Sequence, residues 1–547
     1  MTNNIKLTEK QQEFVNKVYE DELQLKKGIF VLKGFAGTGK TYTLSTIVNK
    51  SNFENILVVA PTVMARTVLQ TKLPSSSRNR NKTVNYSTLS KLIQVPKEVI
   101  TVMNTKFILN TAGITDLKNL LSRMKIDTEG LIQTRPVYVI DSKTGKSVLA
   151  DEPKYIINEE ELKNRFNTRF KGRGSTMVGE VKPDFDYLPL ADIVEKIKDI
   201  DLILVDEMSM VGQEPLSKLI EAVDHLNTYI EKNGKMYGKA IPTVVLAGDP
   251  GQLPPVDEEL NEYFLNEDLS SNDRIKYSSK LETILRSGDD IARMAGMIRK
   301  KLDPKKVAEY SKDGVIFKGD VDKFIQNNKQ LLSDVDIAIA FTNADVYKLN
   351  SAIRNSKGYT GSRALVGETL IVLENTQADW QGNVEFSNGE SYEIIDKLDL
   401  AYVKNLFDSE LYKEAKESTL VDEALIALDA GYVELVTLMN RNGELKTAFI
   451  ATNIFDTTSM LYKNVKEIFK NLSILADGVN PFVVVNFGYA RTIHKSQGSE
   501  WDNVLLWITS KNIYGMKKNN PKNWQSLLYT GYTRAAKHCH FIYGDLW

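Results

Sequence analysis

The sequence has one cysteine, Cys539, among its 547 residues. No disulfide can form within the chain, which fits a reducing compartment such as the cytoplasm. His538 and His540 flank the cysteine, but period-2 alternation in the strand-like run HCHFIY sets Cys539 opposite both histidines, which argues against a metal site. No stretch of about 18 apolar residues occurs, so no membrane span is expected. The opening MTNNIKLTEKQQ has no apolar core of a signal peptide. Heptads, tandem repeats and low-complexity tails are also lacking. Charge of one sign is not in excess: 70 Lys and Arg against 71 Asp and Glu leave a formal net charge of −1. Any nucleic-acid contact must therefore come from a local channel and not from the global field.

The chain is too long for one hydrophobic core, so two or more domains are expected. Four β-rich apolar runs end in polar turns that carry Gly or Pro: IFVLKG (29–34), NILVVAPT (55–62), DLILVDEMS (201–209) and TVVLAGDPGQ (243–252). Continuous apolar strands alternating with helices predict a parallel sheet covered on both faces, with ligands at the carboxyl ends of its strands. A second such set is VDIAIAFTNAD (335–345), PFVVVNFGYARTIHKSQG (481–498), NVLLWITS (503–510) and HCHFIYGD (538–545). Two segments break this rhythm. The first holds the hairpin-like YVIDSKTGKSVLA (138–150), with Thr144–Gly145 at its turn, and the basic stretch KNRFNTRFKGRGS (163–175). The second holds ETLIVLEN, VEFSNGESYEII and YVELVTLMNRNGELKTAFIAT, short strands with Asn-Gly turns as in a small β-barrel, and then an amphipathic helix, MLYKNVKEIFKNLSIL (460–475). The expected organisation is a first core over 1–92 and 201–300 with an insertion at 93–200. A second core follows over 301–366 and 481–547, with an insertion at 367–480.

The run GFAGTGKT (34–41) fits G-x-x-x-x-G-K-T, with Gly34, Gly39, Lys40 and Thr41 at the specified places. Glycines let backbone N–H groups wrap phosphates, the lysine neutralises β/γ oxygens, and the Thr41 hydroxyl ligates Mg²⁺. Asp206, directly after LILV, is the candidate second Mg²⁺ anchor, and Glu207 beside it can polarise an attacking water. Gln252 in GDPGQLPPV can sense a γ-phosphate or orient water. The cofactors implied are ATP and Mg²⁺, and the adjacent carboxylates point to hydrolysis.

In this order, GFAGTGKT, VDEMS and GDPGQLPPV resemble motifs I, II and III of superfamily 1 helicases. LTEKQQEF resembles the adenine-reading Q motif, VVAPTVMA motif Ia and NYSTLSKLI motif Ib. LETILRSGDDIARMAGMIR resembles motif IV, and AFTNADVYKLN the motif that opens the second core. ARTIHKSQGSEWDNV resembles motif V and LLYTGYTRAAKH motif VI. Order and spacing are most similar to the RecD/Dda branch, above all the bacteriophage Dda-type helicases. The resemblance implies an α/β fold of two RecA-like parallel-sheet cores. It also implies a β-hairpin-containing insertion in the first core and a small SH3-like β-barrel insertion in the second. The implied activity is ATP-driven 5′→3′ translocation on single-stranded DNA with unwinding of duplex. The implied partners are single-stranded DNA and single/double-strand junctions, with a single-strand-binding or replication protein as a further candidate. No membrane is involved, and the motor is expected to be a monomer.

Carried over position by position, the resemblance gives Lys40, Glu207, Gln252, Arg286 and Arg534 catalytic roles. Nucleotide contacts fall to Gln11, Gly34, Gly37, Thr38, Gly39, Lys40, Thr41 and Tyr42, with Glu500 at the ribose and Thr41 and Asp206 at the metal. The DNA track takes Thr62, Ser87 and Thr88 from the first core, and Thr342, Asn343, Thr492, His494, Lys495 and Ser496 from the second. For each lone Ser or Thr a plain helix cap is the alternative, and for His494 a structural hydrogen bond. Val63 stands where the Dda-type pattern carries a histidine. The hairpin at 138–150 is either a strand-separating pin or a packing element, and the basic stretch either a duplex contact or a solvated loop. An RNA-directed helicase and a nucleotide-gated single-strand-binding ATPase are the competing functions.

Overall fold

A computed structural model describes residues 6–545 except for 23–26, 74–81, 136–137, 141–146, 150–153, 171–173, 180, 234–240, 256–259, 266–268, 270–271, 286–288, 377–384, 410–419, 441–442, 455–459, 476–479, 520 and 522. The chain divides into two compact units, one formed by 1–89 with 194–547 and the other by 90–193.

The larger unit holds two parallel sheets. The first has six strands in the order Ile275–Leu281, Ile29–Gly34, Thr243–Gly248, Leu202–Val205, Asn55–Ala60 and Thr83–Thr88, every neighbouring pair parallel. Its four inner strands are the four apolar runs, and they are buried almost end to end. The two outer strands, TVNYST and IKYSSKL, are far less buried, half-buried positions alternating with exposed ones over much of their length, because only one of their faces meets the core. Register aligns Lys33 with Gly248, Leu246 with Val205, and Val205 with Val59. The turns after these strands therefore emerge on one edge.

The second sheet runs Gly314–Lys318, Ala535–Asp545, Trp501–Thr509, Ile337–Ala340 and Ala490–Thr492, again all parallel. Cys539 faces its core while His538 is exposed, as the alternation predicts. The run 481–498 does not belong to this sheet alone. Its part Val485–Phe487 pairs antiparallel with Thr369–Val372, and only Gly488 and Tyr489 separate it from the core strand Ala490–Thr492. Val485–Phe487 is thus the last strand of a five-stranded antiparallel sheet in the order Leu445–Ala451, Val433–Asn440, Ser391–Lys397, Thr369–Val372, Val485–Phe487. Just ahead of it, Phe482 bridges back to Phe449 in the first-named strand, so the sheet curls on itself. The helix Met460–Leu475 lays Val465, Phe469 and Leu472 against this sheet's outer cluster.

A fully buried ion pair joins the inserted sheet to the second core. Arg354 donates from Nε and Nη2 to the two Glu368 carboxylate oxygens at 2.7 and 2.8 Å, and it lies 3.7 Å over the Phe487 ring. Glu368 also accepts from the Leu365 N–H and the Tyr489 hydroxyl, so its lone pairs are used.

The smaller unit has a three-stranded antiparallel sheet, Lys182–Tyr187, Gln94–Val102 and Thr105–Ile108, and two short ladders. Its core is built from Ile100, Val102, Leu117, Leu121, Leu162 and Phe166. Tyr138–Ile140 and Ser147–Leu149 pair antiparallel, while the turn Thr144–Gly145 lies outside the described residues. Much of the basic stretch is not loop. It forms the end of the helix Glu159–Arg169, where Phe166 is buried and Arg165 pairs with Glu161 at 2.8 Å; 171–173 lie outside the described residues.

Candidate nucleotide cleft and nucleic-acid track

The strand Ile29–Gly34 delivers the chain to a tight loop, and the helix Lys40–Lys50 starts at Gly39. Gly39 sits at φ +82°, and a Cβ there would lie 2.6 Å from the Gln11 amide nitrogen, so only glycine fits. Gln11 is fully engaged with protein. Its Oε1 accepts from the Thr8 N–H at 2.8 Å, and its Nε2 donates to the Thr38 carbonyl at 3.1 Å. The glutamine expected to read adenine braces the loop from behind. Thr38 is likewise buried, its hydroxyl donating to the Phe35 carbonyl at 2.8 Å. Lys40 Nζ donates to the Gly34 and Phe35 carbonyls at 2.9 and 3.0 Å.

Across from the loop, Asp206 is 4 % exposed and accepts the Thr41 hydroxyl at 3.3 Å. Burial, then the neighbouring Glu207 charge, pushes its carboxyl up to about 6, against the opposing pull of Lys40. Glu207 adopts a left-handed backbone, φ +54°, which is strained for a residue with a side chain. Among the described residues its buried Oε2 has no hydrogen-bond partner, and neither has Oε1 of the buried Gln252. Buried polar atoms left without partners are costly, so a site that carries two of them is built for a further polar group. The Thr41 hydroxyl and the Asp206 carboxylate form an all-oxygen pair of the kind Mg²⁺ takes beside phosphates, so the residues fit that cation.

The other wall comes from the second core. Arg534, 5 % exposed, donates from Nε to the Thr530 carbonyl at 3.0 Å and from Nη1 to the Ser499 carbonyl at 3.1 Å. Burial lowers its pKa, and the Glu207 charge opposes that shift; the guanidinium stays a cation. Together these groups line a cleft of about 450 Å³ that also takes in Gly37, Gly39, Lys40, Thr41, Tyr42 and Glu500. Gly34, Thr38 and Gln11 are outside its lining. Glu500 faces Lys72 of the first core at 3.7 Å, and Gly498, at φ +73°, would bring a Cβ within 3.0 Å of Ala65 Cβ. Arg286 lies outside the described residues.

Strand register also gathers the track residues. Ser87 and Thr88 end the strand beside Asn55–Ala60, where Ala60 is opposite Thr88 and Thr62 follows two residues on. In the second core Ala340 is opposite Thr492, and Thr342 follows two residues on. Thr62 and Thr342 are both N-caps, accepting from the Ala65 and Asp345 N–H groups, and the Thr342 hydroxyl also donates to Asp345 at 2.6 Å. Both threonines thus cap the helices that follow the strand ends. Asn343, His494 and Lys495 reach the surface, and although His494 is solvent-accessible, the protein packed around its imidazole partly desolvates it and lowers its pKa below the ordinary 6.5. Ser496 departs from expectation. It is fully buried and its hydroxyl donates to the Ile493 carbonyl at 2.7 Å, so it supports the turn from within and does not face a strand of nucleic acid. Asp249, Tyr529 and Thr530 join the two cores behind the cleft, and nothing in the sequence marks them except their position inside the motifs quoted above.

Two family models match this chain, an AAA domain over residues 20–258 and a UvrD-like helicase C-terminal domain over residues 487–542. An uncharacterized protein of Acanthamoeba polyphaga mimivirus is 24% identical over 97% of this chain and 99% of its own length. The ATP-dependent DNA helicase dda of Enterobacteria phage T4 is 25% identical over 64% of this chain and 82% of its own length. The crystal structure of Pif1 helicase from Candida albicans aligns with 98% of this chain and 94% of its own at 16% identity and a TM-score of 0.43. The two matched segments bracket the cleft, the first ending just past Gln252 and the second containing Arg534, and together with the helicase relative they make this chain similar to superfamily 1 helicases of the RecD/Dda type.

Proposed function

We propose that this chain is an ATP-driven motor that moves 5′→3′ on single-stranded DNA and unwinds duplex ahead of it. The observation that carries the reading is the buried Arg534 of one core in the same cleft as Lys40, Asp206 and Glu207 of the other. Lys40 exchanges its two loop carbonyls for the β/γ oxygens of ATP. The Glu207 Oε2, which lacks a partner among the described residues, accepts a hydrogen bond from the attacking water, and Gln252 orients that water or the γ-phosphate. Thr41 and Asp206 would hold Mg²⁺, which would offset phosphate charge. Arg534, and Arg286 in the same reading, meets charge that develops on the transferring group, a contact worth on the order of 10³–10⁵ in rate. Because Arg534 arrives from the second core, hydrolysis requires a closed cleft, and product release lets it reopen.

The threonines at matching strand ends of the two sheets form the two grips of the motor, and alternate tightening moves the strand between them. The small net charge fits such a local grip. In this reading the strands Tyr138–Ile140 and Ser147–Leu149 form the separating pin, and the curled antiparallel sheet is the SH3-like insertion. The test compares duplexes with a 5′ tail and with a 3′ tail in the presence of Mg-ATP. Unwinding of the 5′-tailed duplex alone is expected. A strict 3′ requirement overturns the direction, and stronger ATPase stimulation by poly-U than by poly-dT turns the substrate from DNA to RNA.

A further inference from the structure

Behind the nucleotide cleft a second polar cluster crosses between the cores. Its centre is Asp249, fully buried in the turn GDPGQ. The Tyr529 hydroxyl, from the second-core helix Trp524–Tyr532, donates to Asp249 Oδ2 at 2.6 Å. The same Tyr529 oxygen accepts the N–H of Ala36 in the phosphate loop at 3.1 Å. Asp249 Oδ1 accepts the Gly251 N–H at 2.9 Å and has Arg299 Nη1 at 3.8 Å. The Arg299 guanidinium in turn lies 3.7 Å from the Phe35 ring centroid. One residue along the helix, the fully buried Thr530 hydroxyl accepts the Leu253 N–H at 3.1 Å. Gln252 lies between Asp249 and Leu253, so its turn is held at both ends by consecutive residues of one helix. The Thr530 carbonyl also accepts from Arg534 Nε.

We propose that Tyr529 and Thr530 are positioning residues for nucleotide hydrolysis, clamping the phosphate loop and the Gln252 turn of the first core to the helix Trp524–Tyr532 that leads directly into Arg534. The inference rests on the hydrolytic reading above. Three segments that must meet the γ-phosphate in one register are fixed through directional hydrogen bonds, where apolar packing would hold them without direction. Packing alone does not call for a buried carboxylate here, because replacing buried charge with apolar groups is often neutral or stabilising. Burial and the Asp249 charge also hold the Tyr529 hydroxyl protonated, keeping it a donor to the carboxylate.

The test uses Tyr529→Phe and Thr530→Val in the full chain, each removing the hydroxyl and keeping the shape. Hydrogen bonds to a charged group support a loss of about ten- to a hundredfold in single-strand-stimulated kcat for Tyr529→Phe. KM for ATP should stay within about twofold, because the contact touches no substrate atom. The melting midpoint should stay within about 2 °C. The double variant should be little worse than the weaker single, since the two hydroxyls act on one turn. Independently of turnover, hydrogen exchange of peptide 34–41 should quicken in Tyr529→Phe. Unchanged kcat overturns the proposal. So does a loss of activity that follows KM or the melting midpoint, which marks a structural role only, and so does unchanged exchange. Absence of ATP hydrolysis by the wild-type chain overturns the functional reading instead, and the exchange measurement distinguishes that failure from failure of the clamp.

Discussion

Asp206→Asn separates the stability of the cleft from its chemistry. The aspartate is nearly isosteric with asparagine, whose Oδ1 can still accept the Glu207 N–H now bonded at 2.9 Å. In the nucleotide-free chain the carboxyl titrates at about 6 instead of the ordinary 3.8. Its folded-state pKa is raised, so the stability it contributes is fully present below about pH 4 and is lost as pH rises through about 6. At ~1.4 kcal/mol per pH unit that gap corresponds to about 3 kcal/mol. Without nucleotide or Mg²⁺, Asp206→Asn should therefore be more stable than wild type by about 3 kcal/mol at pH 8, with the difference shrinking toward zero near pH 4. The assay is urea unfolding at pH 4.5, 6 and 8, read by a probe of the first core, in parallel with ATP turnover. Turnover should vanish in the variant, and stabilisation by Mg²⁺ with a non-hydrolysable nucleotide should fall with it. A variant less stable than wild type at pH 8, or a difference independent of pH, refutes the reasoning.

Lys40→Ala should abolish ATP hydrolysis and leave single-strand binding intact in a filter-retention assay; retained turnover refutes the cleft assignment. Glu368→Ala should cost about 3–5 kcal/mol, because it strands Arg354 as an unpaired buried charge. The double change Arg354→Met with Glu368→Leu should recover much of that loss in the same urea titration. Among the track residues Lys495 alone carries an ammonium group, and partial desolvation lowers the His494 pKa. Lys495→Gln should lower the slope of log affinity against log salt by about 0.7 on single strands.

The inner strands of both sheets were legible because burial on both faces writes them as unbroken apolar runs. Thr83–Thr88 and Ile275–Leu281 carry no such run, since an edge strand mixes polar and apolar residues much as a loop can. Gly314–Lys318 escaped for the same reason, every residue of it at least partly exposed. The run PFVVVNFGYART reads as one β segment, but a two-residue break divides it between an antiparallel and a parallel sheet, and no local propensity marks that break. At the cleft, Lys40, Thr41, Asp206 and Glu207 could be named because loop and strand-end spacing specify them locally. The positions of Gln11, Ser496 and Tyr529 depend on which backbone groups tertiary packing brings to them, and these are distant in sequence or hidden inside a turn.

The two-residue passage from Val485–Phe487 to Ala490–Thr492 leaves no slack between the inserted sheet and the second core. Tyr489 is hydrogen-bonded to Glu368 within that passage, and Glu368 grips Arg354 of the core helix Asn343–Ser356. A hinge needs residues free to change their backbone angles, and this junction has almost none. Any rotation of the second core must then swing the inserted sheet through the same angle, like an outrigger fixed to a hull. A displacement of an ångström at the nucleotide becomes a larger sweep at the sheet's far edge, with no separate energy source needed there.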